Sequence, residues 1–328
     1  MDSVQDPSKL PSVRTTCLVS TVKGSVALFA VGTMLGALAL VGCGERSELL
    51  GVVPSEAADG GAAGAGSRPH FEPAQLVAAL NVPDADDEAP TLTADLLEIY
   101  FMSARGGTRH LWASTRASPS DAWQAPHQVS ELDTDTYEFT PSVSLDGLRL
   151  WFCVGSTPTS VWFSTRASRS DPWNAPVLLT DLVPPSGTQE VNSPSLDESE
   201  TMLGVSLRGT GTAGWDLYTA TRTSTDDAWS PLIALGGVNE ASKEYDPALG
   251  NEGTELFFSS SRSGMDDLFW SQRGTRSEAF AAPIALDELN TPDFKEFDPF
   301  FALDRSLIFF ASNRGGYSDI YQAARSEP

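Results

Sequence analysis

The stretch "LFFSSSRSGMDDLFW" occupies Leu256–Trp270, and "IFFASNRGGYSDIYQ" occupies Ile308–Gln322. An aromatic pair, Ser, Arg, Gly, Asp and an aromatic-flanked aliphatic recur in the same order. The echo extends outward along the chain. Five prolines, Pro90, Pro141, Pro194, Pro247 and Pro299, are spaced 51, 53, 53 and 52 residues apart. After each comes a short strand and a turn such as Asp146-Gly147 or Glu252-Gly253. An apolar strand follows ("LEIYFMS", "LRLWFCV", "TMLGVSL", "ELFFSSS", "LIFFASN"), then a Gly-rich hairpin. A third strand comes next ("HLWASTR", "SVWFSTR", "DLYTATR", "DLFWSQR", "DIYQAAR"), and Trp-x-x-Pro or its variant precedes a fourth. Four period-two strands per unit describe propeller blades. No segment carries the helical periodicity that a horseshoe or helical solenoid needs.

The fifth unit ends at Arg325 with three strands. The segment "HFEPAQLVAALNVPDADDEAP" (His70–Pro90) matches "AFAAPIALDELNTPDFKEFDP" (Ala279–Pro299) at Phe71/Phe280 and at Leu80-Asn81/Leu289-Asn290. The N-terminal segment therefore supplies the missing strand and closes the ring, which leaves no free sheet edge. Residues 71–325 divide into five units of 51. The expectation is an all-β, five-bladed propeller over 70–328. Its blades fall at about 91–140, 141–193, 194–246, 247–298, and 299–326 plus 70–90.

"PSVSLDGLRLWF" and "SNRGGYSDIY" resemble the TolB-type, WD40-like β-propeller repeats of exported bacterial proteins. The resemblance covers about three quarters of the chain. It implies a periplasmic or surface propeller that binds proteins or small ligands without a shared catalytic apparatus. The units here are longer than typical TolB repeats. TolB itself has six blades and a second domain with no counterpart in this sequence, so its role in envelope integrity does not transfer.

Ahead of the repeats, Lys9, Arg14 and Lys23 precede an uncharged run from Ser25 to Gly42. A basic stretch, an apolar stretch and small residues before a cut describe a secretory signal over 1–42. Leu40-Val41-Gly42-Cys43 resembles the lipobox of bacterial lipoproteins, which implies lipidation of Cys43 and cleavage before it. Gly44, in place of Asp, implies outer-membrane sorting. An uncleaved membrane anchor is the alternative, at the short end of spanning length. Residues 43–69 are small, polar and Gly-rich, which reads as a flexible tether. Cys17 leaves with the leader, and Cys153 has no partner for a disulfide. Cys153 sits in the apolar run "LRLWFCV" and reads as a buried, inert thiol.

The net charge is −23. That excludes a nucleic-acid partner, whose phosphates demand a basic footprint. Expected partners are an envelope protein or a small ligand, with the membrane touched only through the lipid and the domain monomeric.

Three sets of residues recur once per blade. Asp87, Glu138, Glu190, Glu244 and Glu296 come just before the prolines, joined by Asp246 and Asp298. Placed ahead of the innermost strands, they predict an acidic ring at the axial mouth that would attract cations or basic partners. The alternative is that each caps backbone or pairs with an Arg. Arg208 with Asp216, Arg262 with Asp267, and Arg314 with Asp319 flank the middle hairpin and predict charge pairs that lock it. Ser156 and Ser160 occupy those slots in the second blade, and His110 takes the acid's place in the first. Trp123, Trp173, Trp229, Phe280 and Phe71 could form a sugar-stacking ring but read better as inter-blade packing.

No metal site is expected beyond adventitious Ca²⁺. His70, His110 and His127 are scattered, and "DTDTYE" (Asp133–Glu138) completes no calcium loop. "GTGTAG" (Gly209–Gly214) has no helix after it to make a dinucleotide site, so no cofactor is expected. The functional expectation is a non-catalytic binding or scaffold module. A glycan-active enzyme using axial carboxylates is the alternative, which would need unlike acids with separated proton affinities.

Overall fold

The structure is a computed structural model that describes residues 68–209 and 214–326. The leader, Cys43 and nearly all of the tether lie outside the described residues. The described chain forms five antiparallel sheets, with one 3₁₀ turn at Ser130–Leu132 and no α-helix. The first strand of each sheet packs against the first strands of the two neighbouring sheets, so the five form a closed ring.

Blade 1 comprises Asp87–Leu92, Glu98–Ser103, His110–Thr115 and His127–Gln128. Blade 2 comprises Glu138–Val143, Arg149–Val154, Ser160–Thr165 and Val177–Leu178. Blade 3 comprises Thr188–Leu196, Met202–Gly209, Trp215–Thr221 and Ile233–Ala234, and blade 4 Glu244–Gly250, Glu255–Ser260, Asp267–Gln272 and Ile284–Ala285. Blade 5 takes Glu296–Phe301, Leu307–Ser312 and Asp319–Ser326 from the C-terminus, and its fourth strand from His70–Phe71 and Gln75–Leu76. The face where first strands begin is called the upper face here. It carries the hairpins between second and third strands. The lower face carries the turns between first and second strands.

The doubled aromatics of the repeat have a packing reason. Successive strand residues point to opposite sheet faces, and an inner strand has a neighbouring blade on each side. Phe257 packs toward blade 5 with Ile308 and Phe310, while Phe258 packs toward blade 3 with Leu217 and Leu235. Phe309 and Phe310 divide in the same way between blades 1 and 4. Each of the five interfaces thus has its own apolar cluster. Burying one such side chain is worth about 1.5–3 kcal/mol.

The closing strand is held by backbone and side chain together. His70 and Phe71 pair with Ser326 and Arg325, and Gln75 and Leu76 pair with Gln322 and Tyr321. Phe71 is buried edge-on against Phe257 and Phe301, with ring centroids 6.5 and 6.0 Å away. The Asn81 amide accepts the Ile320 N–H at 2.7 Å and donates to the Ile320 carbonyl at 3.0 Å. Asn239 and Asn290 grip Leu217 and Leu268 in the same two-bond way. The recurring Leu-Asn of the sequence is therefore a clamp between one blade's third strand and the loop leading to the next.

A second device locks the lower face. Arg116, Arg166, Arg222 and Arg273, each just after its third strand, donate from Nε to the carbonyls of Leu96, Gly147, Glu200 and Gly253. Their guanidinium groups lie 4.2, 4.5, 4.2 and 4.3 Å from the ring centres of Trp123, Trp173, Trp229 and Phe280. All four rings are buried. Their place is packing under an arginine, with no face free to stack on a sugar.

Candidate functional site

The predicted acidic ring does not face the axis. Asp87, Glu138, Glu190, Glu244 and Glu296 lie within the first strands instead of ahead of them. Asp87, Glu138, Glu244 and Glu296 have no exposed surface, and Glu190 retains 8%. A buried carboxylate needs a counter-charge and donors, and the hairpin arginines supply both. Arg314 donates from Nε to Ser312 Oγ at 2.9 Å and from Nη2 to Glu296 Oε1 at 2.9 Å, while Ser312 Oγ donates to the same carboxylate at 2.7 Å. Arg314 also reaches the Leu289 carbonyl, and the Thr291 N–H caps Glu296 from the other side. Arg262, Ser260 and Glu244 repeat the arrangement, and Arg105 likewise bonds both Ser103 and Asp87. The open acidic ring gives way to the alternative reading, pairing with an Arg, and the hairpin charge pairs are corrected. Arg208, Arg262 and Arg314 pair with Glu190, Glu244 and Glu296, not with Asp216, Asp267 and Asp319. The guanidinium of Arg262 or Arg314 folds back over the rings of its own blade, Phe258 and Phe269 or Phe310 and Tyr321. That path leads to the first strand. The hairpin acids are left half-buried, with their proton affinity raised by burial and by neighbouring carboxylates.

Two blades depart from this triad. Blade 3 carries one extra residue, so Val191 stands opposite Leu207 in the acid's slot and Glu190 lies one position earlier, opposite Arg208. In blade 2, Val154 faces Glu138 where a serine stands in blades 1, 4 and 5, and Ser156 holds the arginine's position. Glu138 is met instead by His110 of blade 1, with Nδ1 2.7 Å from Oε2. Asp133 Oδ1 lies 3.4 Å from the same nitrogen. No local motif announces this grouping, because its members come from two blades and meet only in three dimensions.

The axis itself is built by the anchor prolines. Pro90, Pro141, Pro194, Pro247 and Pro299 sit at a bulge in each first strand. A first strand has no ladder partner on its axial side, so a residue without N–H is tolerated there. The residues before them, Ala89, Thr140, Ser193, Asp246 and Asp298, all have positive φ between 46° and 54°. With the prolines they line a narrow axial channel of about 50 Å³. Hydrogen bonds run around the ring: Ser193 N–H to Thr140 Oγ1, Ser193 Oγ to Asp246, Asp298 N–H to Asp246, and Ala89 N–H to Asp298.

Of the predicted acids, only Asp246 and Asp298 reach the axis, where Asp246 accepts the Asp298 N–H. Burial pushes Asp298 well above the usual carboxylate range, and the charges of Asp246 and Glu88 push it further. Burial also raises Asp246, against the stabilising hydroxyls of Ser193 and Ser259. Glu88, raised mainly by burial, is a further acid whose charge is felt by Asp298 and that the repeat alignment does not single out. Below the channel, a basin of about 340 Å³ opens on the lower face, lined by Leu196, Leu249 and Phe300 together with Glu200, Glu255 and Arg305.

The upper face is acidic beyond these buried groups. Asp84, Glu131, Asp133, Asp135, Glu240, Asp287 and Asp293 are exposed on its loops. Among them stand Tyr137, Val183, Phe294 and Tyr317, 43%, 63%, 39% and 49% exposed. Cys153 is fully buried, and burial raises its thiol to about 12, which makes it inert.

No protein-family model matches the chain, and no curated protein does. Among solved structures, the α-L-arabinofuranosidase PaAbf62A of Podospora anserina aligns over 74% of this chain and 91% of its own, at 12% identity and a TM-score of 0.53. The GH43 endo-arabinanase of Bacillus licheniformis aligns over 74% and 94%, at 12% identity and a TM-score of 0.51. TolB of Acinetobacter baumannii aligns over 74% and 54%, at 13% identity and a TM-score of 0.42. At these identities the likeness is one of fold: the chain is a five-bladed β-propeller.

Proposed function

We propose that this chain is a non-catalytic binding module, held at the bacterial envelope by a lipid on Cys43, whose upper face takes a basic protein partner. The observation that carries the reading is the coincidence on one face of exposed Tyr137, Val183, Phe294 and Tyr317 with exposed carboxylates. Exposed aromatic anchors on a predominantly acidic face, which also carries the exposed cations Arg109, Lys243 and Lys295, are what a charge-complementary protein surface recognises.

The glycan-active alternative fits the axial acids poorly. Glycosidase carboxyls stand roughly 5–5.5 Å apart in retaining enzymes and about 6.5–9.5 Å apart in inverting ones. Asp246 accepts the Asp298 N–H, and their channel of about 50 Å³ has no room for a sugar ring. The other recurring acids are committed to arginine or histidine.

The test is photo-cross-linking in envelopes from a full-length chain carrying the cross-linker at Phe294 or Tyr317. A discrete protein adduct should form, weaken with salt, and disappear on Asp287→Lys with Asp293→Lys. An adduct indifferent to salt and charge reversal overturns the reading, as does sugar release from a glycan panel that Asp298→Asn abolishes. Labelling with radioactive palmitate, lost in Cys43→Ala, tests the anchor separately.

A further inference from the structure

The five buried acids of the first strands offer an internal comparison. Asp87, Glu190, Glu244 and Glu296 each have a guanidinium of their own blade. Glu138 is as buried as any of them, yet its blade supplies Val154 and Ser156 where serine and arginine stand in blades 1, 4 and 5. The permanent cation is missing from a site that elsewhere has one. In its place are an imidazole and a second carboxylate. His110, Asp133 and Glu138 bring three ligand atoms within 4.8 Å of one another.

The surroundings orient this set. The Thr134 N–H and hydroxyl hold Glu138 Oε1, which turns Oε2 toward His110 Nδ1. Gln128 Nε2 holds Asp133 Oδ2 at 2.8 Å, which turns Oδ1 to the same nitrogen. Each carboxylate therefore has one oxygen fixed by protein donors and presents the other. Such outer partners fix ligand direction in metal sites. Nitrogen and oxygen ligands about 2.0–2.2 Å from a common zinc lie roughly 3–4 Å apart, so the observed 2.7 and 3.4 Å separations need little adjustment. His110 and Asp133 keep 21% and 29% of their side-chain surface exposed, which gives an ion and its water a path in.

We propose that His110 Nδ1, one oxygen of Asp133 and Oε2 of Glu138 bind a divalent metal ion, zinc by the imidazole-and-carboxylate set, in the place where blades 1, 4 and 5 use an arginine. One imidazole with two carboxylates suits Zn²⁺ better than Ca²⁺, which takes six to eight oxygens. The ion would tie blade 1 to blade 2 and neutralise the buried carboxylate. This site shares Asp133 with the acidic upper face proposed above and adjoins Tyr137, but it rests on its own geometry and not on that partner.

The experiment is calorimetric titration of the chelator-stripped full-length chain in detergent with Zn²⁺, Ca²⁺ and Mg²⁺, paired with thermal melts. One saturable Zn²⁺ site and a raised melting temperature are expected. His110→Ala and Asp133→Asn should each weaken binding at least about tenfold, whereas His70→Ala and His127→Ala should not. Ser156→Arg returns a guanidinium to Glu138 and should abolish zinc binding in a folded protein. This variant decides the matter if His110→Ala fails to fold. Zinc binding that survives both Asp133→Asn and Ser156→Arg marks surface adsorption and overturns the proposal. So does a wild-type chain whose melting temperature responds to pH but not to zinc, since His110 would then act as a protonated counter-charge only.

Discussion

Replacing Arg314 by Leu separates the two accounts of the hairpin charges. In a hairpin-locking pair with Asp319, Arg314→Leu and Asp319→Asn would cost the same small amount, since partly exposed pairs contribute about 0–1 kcal/mol. The structure puts Arg314 instead on Glu296, whose side chain has no exposed surface, with further bonds to Ser312 Oγ and the Leu289 carbonyl. Removing the guanidinium leaves a buried carboxylate with hydroxyls and one N–H but no counter-charge. Breaking such a pair costs about 3–5 kcal/mol. Arg314 keeps 21% of its side-chain surface, so water would reach part of the gap, and the lower end, about 3 kcal/mol, is expected. For a domain of this size that corresponds to a melting temperature lower by roughly 6–12 °C. Asp319→Asn should cost under about 1 kcal/mol. Adding Glu296→Met to Arg314→Leu should recover most of the loss, because the buried charge is then gone. Thermal and urea unfolding of the four proteins gives the comparison. Equal losses in the two single variants, or no recovery in the double, would refute the triad account.

Three further outcomes follow from particular residues. Asp298, Asp246 and Glu88 have proton affinities raised in the fold, so the native state holds protons that the unfolded chain releases. Their contribution is fully present below the unfolded carboxylate range and is lost as pH rises through the folded values. Asp298→Asn should therefore melt higher than the wild type at pH 8, with the advantage shrinking toward pH 4; an advantage that grows on acidification contradicts the assignment. Cys153 should resist alkylation at pH 8 in the native protein and react fully in denaturant, as mass spectrometry would show. Asn81→Leu removes two bonds to Ile320 across the ring closure and should cost about 1–3 kcal/mol through the strand groups left unpaired; hydrogen exchange should then rise first in Asp319–Ser326, and unchanged protection there would count against the clamp.

The repeat spacing, the strand alternation and the match between His70–Pro90 and Ala279–Pro299 were enough to specify five blades and their closure. These features are local or periodic. A strand buried on both faces must be apolar at successive positions, and a ring must account for its last strand, so the constraints are written along the chain. The partners of the charges were not legible in that way. Arg314 and Glu296 are 18 residues apart and meet because adjacent strands bring them together, while the nearer Asp319 only looks like the partner in one dimension. The extra residue of blade 3 moved Glu190 out of its slot, a shift that strand register reveals and spacing to a proline hides. Asp246 and Asp298, 52 residues apart, meet only because the ring turns their bulges onto one axis. His110 meets Glu138 across two blades for the same reason. Periodicity determined the architecture because every blade obeys the same packing rule. The tertiary structure alone decided which charges are buried and what neutralises them, because that depends on which blades come together.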